Sequence, residues 1–356
     1  MANQRLRRTV GVALMFSAAF GLAAAPVRAE EAQDAVQLVY KYKQGEEARL
    51  TSTSTGKGKA TITGAPGQQG QPQTVPLDTL TEVTIRTTTG AVHEDGSADV
   101  EMLFDTMNVD STAQNQSTHI TLTKEGVEMT VNGKKQEVPE ALKGSMAFMG
   151  KTLKLRMSNR GGILSGDFSS LKGMESFMGG MDFEHMMKIS QPSLPEKPVK
   201  PGDKWTQTMD VKLPGVAGKD GAMGANLDYT FVGMELVGDV QCAKIEISGT
   251  VSMDEVQPST PPLGLPENTK MTLAGMHAYM DGWLYFDPVA GRMVEQSLDM
   301  DLSVGATISG EAGDGPKKQA FQITTDTEMK MTTVTKLEIL KAAAEKADTP
   351  QAAAGN

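Results

Sequence analysis

The chain has 356 residues, 39% hydrophobic and only 5% aromatic, with 34 basic against 44 acidic side chains and a formal net charge of −10. That length suffices for one large or two ordinary domains with substantial cores. An acidic chain with no basic stripe among aromatics repels phosphate backbones, so nucleic acid is excluded as a partner, and one cysteine, Cys242, excludes an internal disulfide and reads as a small buried apolar residue.

The first 29 residues have the layout of a cleaved signal peptide: Arg5, Arg7 and Arg8, an apolar run from Val10 to Ala25, then small residues at Val27 and Ala29. The run is shorter than the ~20 apolar residues a spanning helix needs, so no membrane span is expected after cleavage. Cys242 lies far from the cleavage site, which argues against a lipoprotein. The expected location is periplasmic or secreted. Setting aside the four arginines of the leader leaves 30 basic against 44 acidic residues and a net charge of −14.

Two β units are expected, 30–190 and 191–344. The first opens on LVYKYKQGEEARLTSTSTG (38–56), and PVKPGDKWTQTMDVKLPG (198–215) repeats its order of lysine, turn residue, glycine, acid and strand, with Gly202 157 residues after Gly45. GSADVEM (96–102) resembles QCAKIEI (241–247) at an offset of 145, and EGVEMTVNGK (125–134) resembles DGWLYFDPVAGR (281–292) at 156. The loops GAPGQQGQPQTVP (64–76) and QPSTPPLGLPEN (257–268) account for the changes of offset, as insertions in surface loops would after an internal duplication.

Within each unit the apolar period is two. From Val294 the even positions through Ile308 are mostly apolar and the odd ones polar, and the same alternation runs from Phe321 to Met331 and from Trp205 to Leu213. Such alternation marks antiparallel sheet with one wet face, and Glu94-Asp95-Gly96, Asn132-Gly133 and Asp287-Pro288 mark hairpin turns. Helical spacing is confined to PEALKGSMAFM from Pro139 and to Phe168, Leu171, Met174, Met178 and Met181. LEILKAAAEKADTPQAAAGN is expected as a short helix fading into a disordered tail over 345–356.

Eight of the 24 methionines fall between Met146 and Met187. Flexible thioethers fill uneven apolar grooves, so Phe168, Leu171, Met174, Phe177, Met178 and Met181 are the candidate ligand-contacting residues of a cover over an apolar cavity. The alternative is a Cu(I) site, with His185 joining Met178, Met181, Met186 and Met187. No serine nucleophile elbow, zinc helix, P-loop or calcium loop occurs, and His93, His119, His185 and His277 are scattered. The glycines Gly64, Gly67 and Gly70 sit in low-complexity loop, without the strand and helix of a phosphate cradle. No catalytic residue, metal or cofactor is therefore assigned, and the chain is read as a non-catalytic binding or scaffold protein whose partner is an apolar small molecule or an envelope protein.

YKYKQGE, LPEKPVKPGDKW and DGWLYFDPVAGRMVEQSLDM, together with the leader, resemble a family of exported bacterial proteins known as a domain of unknown function. The resemblance implies an envelope-located β-rich protein and no activity. The hairpin rhythm of LKLRMSNRGGILSG (153–166) is similar to the half-barrels of periplasmic lipoprotein carriers, by analogy alone. The expected fold is mainly β: two similar antiparallel curved-sheet units, half-barrel or sandwich-like, with short methionine-rich helices between them.

Overall fold

In the computed structural model, residues 35–64, 71–113, 116–138, 148–169, 187, 192–213, 221–255, 269–312 and 319–342 are described, all within the compact unit that begins at Ala35. They form fourteen strands: β1 (Glu47–Thr63), β2 (Gln73–Val92), β3 (Ala98–Ala113), β4 (Gln116–Thr123), β5 (Gly126–Val131), β6 (Lys134–Gln136), β7 (Thr152–Met157), β8 (Ile163–Asp167), β9 (Lys204–Leu213), β10 (Gly221–Val237), β11 (Val240–Met253), β12 (Lys270–Asp287), β13 (Arg292–Ala312) and β14 (Gln319–Lys341). The order across the sheet is β6-β5-β4-β3-β2-β1-β14-β13-β12-β11-β10-β9. Every pairing is antiparallel. The second half of β3 pairs with β4 while its first half pairs with β7, which carries β8 outward. The first and last strands meet in the middle of the sheet, so both halves of the chain belong to one continuous meander.

The alternations read from the sequence become the two faces of this sheet. Leu50 stands between Ile85 and Leu337, and that row continues through Phe104 on one side. Farther along, Met331 faces Met300, which faces Met280. From Leu50 to Ile62, Val75 to Ile85, Gln296 to Ile308 and Phe321 to Leu337, every residue on this face is uncharged. The other face carries the ions, among them the pairs Lys59–Glu328, Lys330–Asp301 and Arg49–Glu338.

The uncharged face is the concave one. Tyr40 donates its backbone N–H to Asn159 O at 2.7 Å, in the β7–β8 turn, and Lys41 donates to Gly291 O at 2.9 Å, in the β12–β13 turn. Five strand spacings of about 4.8 Å separate β7 from β13 along the sheet, a contour of roughly 24 Å. Yet adjacent residues, with Cα atoms about 3.8 Å apart, bind both turns, so the two carbonyls lie within about 10 Å of each other. The sheet must curl, and glycines on its inner face permit this: a Cβ at Gly58 would collide with the Glu328 carbonyl, and one at Gly282 with the Ser297 carbonyl.

Two hydrophobic clusters fill the curled end. The first gathers Ala98, Val100, Met102, Phe104, Leu122, Phe148, Met149, Leu153, Leu155 and Met157. The second gathers Leu38, Leu194, Val199, Leu227, Tyr229, Phe231, Ala243, Ile245, Ile247, Leu284 and Phe286. At about 1.5–3 kcal/mol for each large apolar side chain withdrawn from water, these clusters do the holding that disulfides do elsewhere. Cys242 is one of the buried residues, and burial raises its thiol pKa.

One sequence expectation changes. LEIL (337–340) does not begin a helix: Leu337 pairs with Leu50 and Ile339 with Ala48 inside β14, because alternate residues are needed on the inner face there. Among the described residues no helix longer than a single turn appears; most of the helical segments expected from Pro139 and from Phe168, like the leader and the tail, lies outside them. Across the ladders, Met157 of β7 stands opposite Ala98 and Phe286 of β12 opposite Ala243. By contrast, the turns expected at Gly96, Asn132-Gly133 and Asp287 are present, with Asn132 and Gly133 both at positive φ as a two-residue hairpin requires.

Candidate functional site

Between the two clusters, on the inner face, lies a cavity of about 350 Å3. Its floor is built from the middle of the sheet, with Ala48 and Leu50 of β1, Ile85 of β2, Val100 and Met102 of β3, and Leu337 of β14. These are positions where the period-two pattern turns an apolar residue inward. Its walls include Met157, Met293, Met187, Pro192 and, from the strap 40–46, Tyr40, Lys41, Tyr42 and Glu46. A volume in the range of small-molecule sites, apolar lining and a few convergent polar groups are the attributes of a ligand pocket.

The charged and phenolic groups come from the strap and from the start of β13, while Ser52, Thr87, Thr89, Gln296 and Thr335 add uncharged polar side chains from the sheet. Tyr40 stacks on Tyr42, with centroids 5.8 Å apart, and meets Phe286 edge-on at 5.2 Å. Tyr42 donates its hydroxyl hydrogen bond to Ser158 O at 3.0 Å, and Tyr229 donates to Gln207 Oε1 at 2.9 Å. The Tyr40 hydroxyl has no partner among the described residues. Burial pushes its pKa up to about 12, although the residue keeps some accessible surface. The two facts agree if that surface faces the cavity and not bulk water. Burial also raises the pKa of Tyr42 and Tyr229, each with a smaller contribution from Tyr40.

Glu46 and Arg292 are the other polar pair, with Arg292 Nη1 4.0 Å from Glu46 Oε2 and side-chain exposures of 35% and 18% for Arg292 and Glu46. That separation is beyond hydrogen-bond length. Lys41, on the rim, donates to Pro288 O at 2.9 Å and Val289 O at 3.2 Å.

Of the residues proposed from sequence as ligand contacts, Phe168 packs against the first cluster, while Leu171, Met174, Phe177, Met178 and Met181 lie outside the described residues. Met187, at the far end of the same segment, lines the cavity. His185 of the Cu(I) alternative is also outside them, and among the described residues no three His, Cys, Asp or Glu side chains converge as a metal site. His93, just past the end of β2, pairs with Asp99 at 3.1 Å, and His119 of β4 pairs with Asp110 at 2.7 Å, the two acids lying at different points along β3. Sequence reasoning passed over Tyr40, Glu46, Ala48 and Arg292. The available signal was the Tyr40/Tyr42 alternation just ahead of the Gly45 turn.

The wider clefts of the opposite face are of another kind. One of about 470 Å3 surrounds His277 and Tyr279 and is bordered by the Lys330–Asp301 and Lys59–Glu328 pairs. Another of about 650 Å3 contains the two-pronged Arg86–Asp105 pair, at 2.8 and 3.0 Å.

No family model matches the chain, and no curated protein matches it significantly. Among solved structures, an outer membrane channel from Pseudomonas putida F1 is 6% identical, with a TM-score of 0.21 over 86% of this chain and 98% of that one. The translocator domain of the autotransporter NalP from Neisseria meningitidis is 9% identical, with a TM-score of 0.18 over 83% and 89%. Similarity this low carries no argument about fold or function. No helix among the described residues is long and apolar enough to cross a membrane.

Proposed function

We propose that this chain is a non-catalytic binding protein of the cell envelope that takes an apolar small molecule into the cavity behind Tyr40. The observation that carries the reading is the cavity itself: about 350 Å3 of space on an uncharged, curled sheet face, lined by Ala48, Leu50, Ile85, Val100, Met102 and Leu337. Space of that size between well-packed clusters forgoes the dispersion contacts that filled cores make, and an apolar guest restores them. The extracytoplasmic location rests on the leader-like residues 1–29. Phe168 and Met187, described residues from the methionine-rich segment, pack on the first cluster, and Met187 also lines the cavity.

The two halves are read as copies of one ancestral unit. Support comes from the turns at Gly45 and Gly202, which repeat one hydrogen-bond pattern, and from Ala98 and Ala243, both fully buried in equivalent strands.

Organic extraction of the protein purified from its native cells, followed by mass spectrometry, tests the binding reading. An apolar compound at near-equimolar ratio is the expected result. A protein that yields none, and that binds no apolar compound added back, overturns it.

A further inference from the structure

The cavity has two polar features that its apolar lining does not explain. The first is the Glu46–Arg292 pair. Backbone bonds set where each residue sits: Glu46 N donates to Lys43 O at 3.0 Å and Glu46 O accepts from Thr89 N at 2.9 Å, while Arg292 follows Gly291, whose N–H is bonded to Asp287 O at 2.8 Å. The side chains line the same cavity yet stand 4.0 Å apart, and neither makes a side-chain hydrogen bond among the described residues. A guanidinium offers five donors and a carboxylate accepts only, so the gap has donors on one side and acceptors on the other. The second feature is the Tyr40 hydroxyl, which lines the cavity and has no partner among the described residues.

Charge decides which head group fits. Lys41 keeps its charge but is exposed on the rim, where solvent screens it and the carbonyls of Pro288 and Val289 hold its ammonium, so Arg292 and Glu46 are the less exposed charges of the cavity. A carboxylate head would gain Arg292 but meet Glu46, and an ammonium head would gain Glu46 but meet Arg292. In a site of low dielectric each repulsion costs much of what the attraction contributes. A neutral group that both donates and accepts satisfies both sides, and a second such group can reach a hydroxyl like that of Tyr40.

We propose that the ligand is an uncharged long-chain amphiphile whose head carries hydroxyl or amide groups, bridging Glu46 and Arg292 and bonded to Tyr40, with its chain on the Ala48–Leu50–Ile85 floor. The assignment rests on the apolar-binding reading above and narrows it to one ligand class.

The test is calorimetric titration of the purified chain with three probes that share a twelve-carbon chain, each below its micelle concentration: monolauroylglycerol, dodecanoate and dodecylammonium. Monolauroylglycerol is expected to bind about ten-fold more tightly than either ion, the scale of one lost charged hydrogen bond. Glu46→Gln should remove most of the penalty on dodecanoate, and Arg292→Gln most of that on dodecylammonium. Both variants should keep the wild-type circular dichroism spectrum, since the pair is partly exposed. Dodecanoate binding as tightly as the glycerol ester, or rankings unmoved by either substitution, would overturn the head-group assignment and leave the apolar reading standing. Failure of all three probes to bind would overturn both.

Discussion

Gly45 and Gly202 occupy matching turns. Gly45 N donates to Thr89 O at 2.8 Å and Glu46 N to Lys43 O at 3.0 Å; Gly202 N donates to Phe231 O at 2.7 Å and Asp203 N to Lys200 O at 2.9 Å. Both glycines are left-handed, with φ of 82° and 92°, and neither has an atom within 4 Å of where a Cβ would stand. Alanine at either position therefore carries a conformational penalty without a clash, about 1–2 kcal/mol. Chemical denaturation should show similar losses for Gly45→Ala and Gly202→Ala. An unchanged midpoint for one of them would mean that the two turns are not equivalent.

Tyr40 and Tyr42 are stacked neighbours with opposite hydrogen-bond status, which makes them a matched pair for substitution. Tyr42→Phe removes the bond to Ser158 O and leaves a carbonyl short of a partner, a loss of about 1 kcal/mol. Tyr40→Phe removes a hydroxyl without a described partner, so the ligand-free protein should be as stable as wild type or more so, while affinity for monolauroylglycerol falls. Equal destabilisation by both would show that the Tyr40 hydroxyl is already engaged.

The buried tyrosines also set an alkaline limit. The Tyr40 pKa is pushed up to about 12 by burial, against about 10 in an unfolded chain. Above pH 10 the unfolded state loses a proton that the folded state keeps, so this contribution is fully present below pH 10 and is lost as pH rises towards 12. Tyr42 and Tyr229 shift the same way. Urea midpoints should fall steeply between pH 10 and 12, and less steeply in Tyr40→Phe. A variant that tracks wild type across that window would contradict the burial of this hydroxyl.

Curvature depends on glycines facing inward. A Cβ at Gly58 would strike the Glu328 carbonyl and Met329 Cα, and one at Gly282 the Ser297 carbonyl. Gly282→Ala should therefore destabilise by about 1–3 kcal/mol, as overpacking does, whereas alanine at Gly126, with open space around it, should cost only the strain of its φ of 142°. Equal melting temperatures for wild type and Gly282→Ala would remove the argument that the sheet bends there.

Much of the sheet was legible because period two is written directly into β9, β13 and β14, and because Gly96 and Asn132-Gly133 have turn chemistry that few residues can supply. The C-terminal strand was misread because LEIL is followed by KAAAEK, whose helix propensity is local, while the pairing of Leu337 with Leu50 spans nearly the whole chain. The cavity was not legible at all. Ala48, Met157, Met293 and Leu337 meet only because β1 and β14 pair and the strap 40–46 ties the two distant turns together.

The measurement that bears most directly on the central claim is an equilibrium titration with the neutral fluorophore N-phenyl-1-naphthylamine on wild type and on Ala48→Phe. Ala48 is 7% exposed and lines the cavity floor, so a phenyl ring there occupies the ligand's place while adding packing contacts. Wild type should show one saturable site per chain, and Ala48→Phe should melt cooperatively with that site abolished. Absence of saturable binding in wild type, or undiminished binding in a folded Ala48→Phe, would contradict the account.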